Sequence, residues 1–200
     1  MKYACKIIII VLGHFVLIPH LIFYFFSSQK KAIFEDIMQS MNRRSVKFSG
    51  YLAVVYILMV DSFYRTMFYH RIGLQSLFFK WYFPGNNTFK PMCDNIGGGI
   101  YLAHPISSFL NAKSIGKNFT CRQNTTLGNK YEGDISSRPT IGDNVSLGAN
   151  VVIIGDVIIG NNVIVGAGSV VTKSIPNDSV VVGNPAHLVF KTVKQKVKKV

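Results

Sequence analysis

From Ile141 onward the chain keeps a six-residue beat. Ile141, Leu147, Ile153, Ile159, Val165 and Val171 are all aliphatic, each six positions after the last. Four residues behind each stand Val145, Val151, Val157, Val163, Ser169 and Ile175, and Gly142, Gly148, Gly160 and Gly166 follow directly behind four of the leaders. An α-helix repeats near 3.6 residues and a strand repeats at two, so neither produces this pattern. A period of six fits a triangular coil in which each hexapeptide supplies one short strand and one corner. The leading aliphatic points inward, and Gly, Asn and Asp tolerate the positive φ of the corner. Three hexapeptides make a coil of about 18 residues, and such coils stack into a parallel solenoid. Upstream, Ile115, Cys121 and Leu127 keep the step, with Phe119 and Thr125 in the second inward slot. Ile96 and Leu102, with Ile100 and Ile106, start an earlier coil, and the phase slips by one before Ile115. Between Leu127 and Ile141 the step is not a multiple of six and residues 130–138 are polar. That segment reads as a loop ejected from the coil, where function usually sits.

The first half of the chain has a different character. Ile7 to Phe26 is a run of 20 residues without a full charge, flanked by Lys2 and Lys6 before it and by Lys30 and Lys31 after it. Its length suits a membrane helix, either spanning or lying on the surface, while Pro19, His14 and His20 favour a buried helix instead. No small-residue cleavage site follows, so a removable leader is not expected. Residues 31–83 read as helical. Tyr51 to Val60 is too short for a span and suits a buried or interfacial helix. Arg65, His70 and Arg71 alternate with aromatics, a mixture that fits either a membrane surface or a solvated basic face. Pro84-Gly85-Asn86-Asn87 marks a turn. The expected organisation is a membrane-associated helix over 1–30, a helical region over 31–90, the solenoid over 91–190 and a basic tail over 191–200. In that tail Lys191, Lys194, Lys196, Lys198 and Lys199 are either solvated or meet an acidic phosphate.

The formal net charge is +13, from 22 Lys and Arg against 9 Asp and Glu. A balance this basic calls for an anionic partner or surface. No nucleic-acid motif or zinc-finger spacing is present, which leaves anionic lipid, a nucleotide-like cofactor or an acidic glycan. Hydrophobic residues make up 48% of the chain, too many for a disordered protein. Cys5, Cys93 and Cys121 form neither a metal pattern nor a disulfide framework and read as ordinary buried thiols.

Four motifs carry a family resemblance: IGGGIYLAHP (96–105), NTTLGN (124–129), RPTIGDNVSLGANVVIIGDVIIGNNVIVGAGSVV (138–171) and VVVGNPAHLV (180–189). Together they resemble the serine acetyltransferase branch of the hexapeptide-repeat acyltransferases. The resemblance implies a mainly β fold, a left-handed parallel β-helix, assembled as a homotrimer with acetyl-CoA as co-substrate and no metal. It implies that His104, in the Gly-Ile-x-Leu-x-His slot, is the general base of a direct transfer without an acyl-enzyme. Gly148, Ala149, Gly166 and Ala167 are the small residues along which the pantetheine arm lies. Lys173 is placed either to meet a CoA phosphate or in solvent, and Gly183-Asn184-Pro185-Ala186 closes the solenoid near the cofactor.

Three positions depart from the serine pattern. Ala103 stands where an aspartate contacts the amino acid, Phe89 stands where a second aspartate orients the histidine, and Arg138 replaces a histidine that helps hold serine. The orienting partner of His104 is left open among Asp94, Asp134 and a backbone carbonyl. Arg138 either grips an acidic sugar or is an exposed loop arginine. The first 90 residues resemble the membrane-proximal front end of relatives in capsule, exopolysaccharide and lipopolysaccharide pathways. The expectation is therefore an O-acetyltransferase acting on a sugar hydroxyl of a polysaccharide or lipid-linked glycan precursor, at the inner face of the cytoplasmic membrane. Ala103, Asp134 and Arg138 would line its acceptor side. The alternatives are serine O-acetyltransferase and, from another class, a non-catalytic scaffold or glycan-binding module.

Overall fold

The computed structural model describes residues 2–44 and 48–191. The chain forms two compact units, Met1–Pro91 with Gly98–Leu102, and Met92–Gly97 with Ala103–Val200. The basic-tail residues from position 192 on, and the Lys191 side chain, lie outside the described residues.

The first unit is helical: α1 (Lys2–Val16), α2 (Ile18–Phe26), α3 (Lys30–Asn42), α4 (Gly50–Val60) and α5 (Ser62–Ile72), followed by a 3-10 segment, Gly73–Phe78. The apolar run 7–26 is not one helix. It breaks at Leu17, with Pro19 in the first turn of α2, and the two halves meet at 75°. Proline lacks the N–H that would continue α1 and is tolerated only at a helix start. No single helix among the described residues is long and apolar enough to cross a membrane. α4 is apolar all round, and Ala53 through Leu58 are all buried, as a central helix requires. The Asp61 carboxylate caps α5 by accepting from Phe63 N and Tyr64 N.

Two basic residues of α5, Arg65 and Arg71, are engaged within the helical unit. Arg71 is buried and forms a bidentate pair with the buried Asp36 of α3, Nε to Oδ2 at 2.7 Å and Nη2 to Oδ1 at 3.1 Å. Arg65 donates to the carbonyls of Leu58, Met59 and Pro84 and lies over the Phe83 ring. Helix ends leave carbonyls without intrahelical partners, and the Arg65 guanidinium satisfies two of them at the end of α4.

The second unit is a parallel β-solenoid with three faces. Ile164 lies opposite Ser146, Val170 opposite Val152 and Ile158 opposite Thr140, an offset of 18 residues on every face. One coil earlier the offset is 26 on every face: Ser114 opposite Thr140, Thr120 opposite Ser146, Thr126 opposite Val152. The extra residues are the ejected polar loop, which carries a short 3-10 turn, Ile135–Ser137. All twelve inward positions from Ile141 to Ile175 are buried. Ser169, the one polar member, donates to Gly166 O and accepts from Gly183 N. The upstream beat holds at Ile96, which bridges to Ile115. Ile106 was expected to point inward but is exposed, because the chain turns at positive φ through His104 and Ser107. A final antiparallel strand, His187–Lys191, closes on Ser179–Val182.

The corners hold the coils in register. Asn118, Asn144 and Asn162 all have φ near 57° and hand an amide hydrogen bond down a ladder, Asn118 to Asn144 to Asn162 to Asp178, at 2.8–3.0 Å. Beside it the side-chain oxygens of Asn161 and Asn177 accept the backbone N–H of Asp143 and Asn161. Asparagine tolerates the left-handed region and supplies both a donor and an acceptor, so it suits each corner.

Candidate active site

His104 follows directly on the strand Tyr101–Ala103. It is exposed and its φ is 54°; its carbonyl accepts the N–H of Ile106 at 2.8 Å, which closes the turn. A bulky non-glycine residue in that region is uncommon and strained, and such residues concentrate at functional sites. Among the described residues the imidazole has no hydrogen-bond partner, and the side chain is exposed.

The segment 98–102 leading to this turn is held by the helical unit. The Asp36 carboxylate accepts the N–H of Ile100 at 2.9 Å. Tyr64 Oη donates to Ile100 O and accepts from Leu102 N. Burial pushes the Asp36 carboxyl up to about 6, against the opposing pull of Arg71 and of the Ile100 and Gly99 N–H groups. Burial also raises the Tyr64 phenol, which keeps it a neutral donor. The adjacent glycines serve separate needs. A Cβ on Gly97 would strike the backbone of Gly116 at 2.7 Å, one on Gly98 would strike Glu35 and the Cα of Ala32 in α3, and Gly99 has φ 83°.

Neither carboxylate proposed to orient His104 reaches it. Asp134 is turned back on its own loop, where Oδ1 accepts from Ser136 N and Ser136 Oγ, and the Ser136 and Ser137 hydroxyls hold it below the usual carboxylate range. Asp94 is exposed beside the buried Cys93. Arg138 is half-buried in the loop base, with Nε donating to Ile135 O. Its charge is felt at Cys93, whose thiol is nonetheless pushed up by burial. Ala103 is buried at the strand end, and Phe89 is fully buried in the helical unit against Phe63. Of the three cysteines, Cys93 and Cys121 are buried as expected, and burial raises Cys121 to about 12, but Cys5 is exposed on α1.

The small residues assigned to the pantetheine arm have a reason within one chain. A Cβ on Gly148 would lie 2.5 Å from Ala167 N, and one on Gly166 would lie 2.7 Å from Val182 Cγ1. Gly142 shows the same close approach, to the backbone of Gly160, on another corner. Coil stacking alone therefore requires glycine at 148, and the Val182 side chain crowds position 166. Ala149 is half-buried and Ala167 exposed on the same corner, and Ala149 O accepts from Gly168 N. Lys173 is exposed and lines a pocket of about 280 Å³ with Ser174, Pro176, Pro185, Ala186 and His187. Lys173 and the Gly183–Ala186 run, both expected near the cofactor, share this pocket through Lys173, Pro185 and Ala186, and His187 joins them.

Comparison with known proteins agrees with this architecture. The family described as bacterial transferase hexapeptide (six repeats) matches residues 138–173. The mitochondrial serine acetyltransferase 3 of Arabidopsis thaliana is 39% identical over 94 residues, 46% of this chain and 24% of that protein. A serine acetyltransferase of Staphylococcus aureus (strain Mu50) is 38% identical over 95 residues, 47% of this chain and 45% of that protein. The chain thus spans less than half the length of these relatives. Among solved structures, Neisseria gonorrhoeae serine acetyltransferase aligns with TM-score 0.66 and 26% identity, covering 82% of this chain and 67% of that one. The soybean serine acetyltransferase apoenzyme aligns with TM-score 0.65 and 27% identity, covering 81% and 69%. The chain is a hexapeptide-repeat β-solenoid with serine acetyltransferases as its relatives. The expectation of a polysaccharide O-acetyltransferase is thereby corrected. Losing three groups of the serine pattern removes particular contacts but names no other acceptor, and these relatives in sequence and in structure are serine acetyltransferases.

Proposed function

We propose that this chain is an acetyl-CoA-dependent O-acetyltransferase of the serine acetyltransferase kind, with His104 as general base. The observation that carries the reading is His104 itself, exposed, at positive φ and without a partner among the described residues, at the end of the Tyr101–Ala103 strand in a serine acetyltransferase-like motif. The neutral imidazole takes the proton of the acceptor hydroxyl as its oxygen attacks the thioester carbonyl. The tetrahedral intermediate then expels the CoA thiolate, the ester forms, and the proton on His104 passes to the leaving sulfur.

Free serine is the acceptor the relatives favour, and the N. gonorrhoeae enzyme has also been solved in complex with serine, with TM-score 0.62 and 26% identity to this chain. Acetyl-CoA lies along the Gly148–Ala149 and Gly166–Ala167 corner, with Lys173 beside the terminal pocket as a point charge for a phosphate. The assembly is a homotrimer, which completes a groove that one solenoid face leaves half built. Cytoplasmic placement follows from the need for acetyl-CoA.

The test is CoA-thiol release from acetyl-CoA with serine. We expect His104→Ala to lower kcat by about 10²- to 10⁴-fold with acetyl-CoA affinity unchanged. Binding of acetyl-CoA without any serine-dependent release would overturn the acceptor assignment. Release equal in His104→Ala would overturn the general base. Ala103→Asp restores the carboxylate of the serine pattern and is expected to lower the KM for serine about tenfold.

A further inference from the structure

The bent pair α1–α2 presents a continuous apolar face that the helical unit does not cover. On α1, Ile7, Ile8, Val11, Leu12 and Phe15 are each about half or more exposed, at the i, i+1, i+4, i+5, i+8 spacing of one face. On α2, Ile18, Ile22, Phe25 and Phe26 continue the pattern, with Phe26 86% exposed. The opposite side of α2 is the buried one, through Leu17, His20 and Tyr24. The segment after α5 adds Leu74, Leu77, Phe78 and Trp81 to the same neighbourhood, because Phe78 stacks on Phe23 and the Tyr82 hydroxyl donates to Val16 O. Soluble monomers rarely leave so many large apolar side chains together in water.

The charge around this face has one sign. No acid precedes Glu35, and none occurs between Asp61 and Asp94, so both segments that build the face are free of carboxylates. Lys30, Lys31 and Lys80 are exposed at its margin, and Lys30 Nζ lies 4.8 Å from the Phe25 ring centroid. Aromatic rings with cations beside them suit the headgroup layer of a bilayer. A single straight span is excluded by the 75° break, which instead lets both helices lie in one plane.

From this juxtaposition we infer that α1, α2 and residues 74–81 form a monotopic docking surface for an anionic bilayer. Apolar side chains enter the acyl boundary and the lysines meet lipid phosphates. The inference goes beyond the acyl-transfer reading and does not depend on it.

Trp81 is the chain's one tryptophan and sits 78% exposed within the face, so it reports directly. The full-length protein is mixed with vesicles of phosphatidylcholine alone and with vesicles containing about 30% phosphatidylglycerol. Expected are co-sedimentation, a blue shift of Trp81 emission and quenching by brominated lipid, with affinity at least about tenfold higher on the anionic vesicles and falling as salt rises. Phe25→Ser/Phe26→Ser, at exposed positions, should lower binding to both vesicle types with the thermal transition retained. Lys30→Glu/Lys31→Glu should abolish only the anionic preference, so a folding failure of the first variant leaves the second to decide. Trp81 emission unchanged by either vesicle would overturn the inference. So would a blue shift that grows with protein concentration in the absence of lipid, which would assign the face to a second copy of this chain.

Discussion

In the solenoid, the side-chain amide of Asn144 is held by Asn118 on one side and Asn162 on the other, in a ladder that runs on to Asp178, and another corner carries the amide pair Asn124–Asn150. In the helical unit, the carboxylate of Asp36 has one guanidinium, Arg71, and the backbone N–H groups of Gly99 and Ile100, and no other fully buried ion pair occurs among the described residues. Both devices satisfy polar groups away from water, but they distribute risk differently. A repeat spreads its polar satisfaction over many equivalent, partly exposed bonds, each of ordinary strength. The helical unit concentrates it in one buried ion pair, whose partners become costly once separated.

The sharpest way to break the comparison is Arg71→Leu. It leaves the Asp36 carboxylate buried without its counter-charge, and a loss of about 3–5 kcal/mol is expected in the unfolding free energy. Denaturant titration measures it. Asp36→Leu together with Arg71→Leu should recover part of that loss, with a remainder from the N–H groups of Ile100 and Gly99. If Arg71→Leu costs no more than a surface change, the concentration of risk in this unit is refuted.

Gly142→Ala tests the solenoid at its tightest kind of contact. The added Cβ would sit 2.8 Å from both the carbonyl carbon and oxygen of Gly160, backbone that cannot swing aside. About 1–3 kcal/mol of destabilisation is expected, as for overpacking elsewhere. Gly128→Ala, whose Cβ would meet nothing within 4 Å, should be near neutral and serves as the control.

These two sites also differ in how far the sequence reveals them. The solenoid was legible because its signal is local and periodic: each inward position announces the next, and the corner asparagines fall at fixed places. The Asp36–Arg71 pair joins residues 35 positions apart with no period between them. Alternation with aromatics made Arg71 look like a surface cation. The break at Leu17 was foreshadowed by Pro19, yet composition alone reads residues 7–26 as one run. At the candidate site, the motif marks the His104 position, while the turn that exposes it and the way Tyr64 and Asp36 hold residues 98–102 depend on tertiary placement. The glycines at 148 and 166 read as room for a cofactor, although backbone stacking within the chain already demands the one at 148 and Val182 crowds the other.

His20 separates the units by pH. It is fully buried among Phe68, Tyr69, Phe79, Tyr82 and Phe83, with Nε2 2.9 Å from the Tyr69 hydroxyl and Nδ1 without a partner. The Tyr69 hydroxyl donates to Phe83 O, so Nε2 carries the proton and donates to it. Burial, aided by the Arg65 charge, lowers its pKa from 6.5 to about 4. Between those values the unfolded chain holds the extra proton, so stability falls as pH drops from 6.5 to 4 and is unaffected above 6.5. The loss from His20 is about 1–2 kcal/mol, below the full value of the shift because the Tyr69 hydroxyl keeps part of its surroundings polar. His20→Phe should flatten that limb of a pH-stability curve. An unchanged limb would mean that the box admits a charged imidazole.

The smallest expected effect tests redundancy itself. Asn144→Ala removes two amide contacts and places a Cβ-bearing residue at φ 56° without a side chain that compensates locally. A cost of about 1–2 kcal/mol follows from partly exposed hydrogen bonds and left-handed strain together. Asn144→Gly loses the same contacts but adopts that φ freely, so it isolates the ladder's share. If Gly is as costly as Ala, the hydrogen bonds carry the corner; if Gly is near neutral, conformation carries it and the ladder only fixes register. Asn118→Ala, at the end of the ladder, loses one amide contact at the same φ, so it should fall below Asn144→Ala by the value of one bond. Equal losses at the two positions would mean that the corners are not independent, and that the solenoid shares the vulnerability of the helical unit after all.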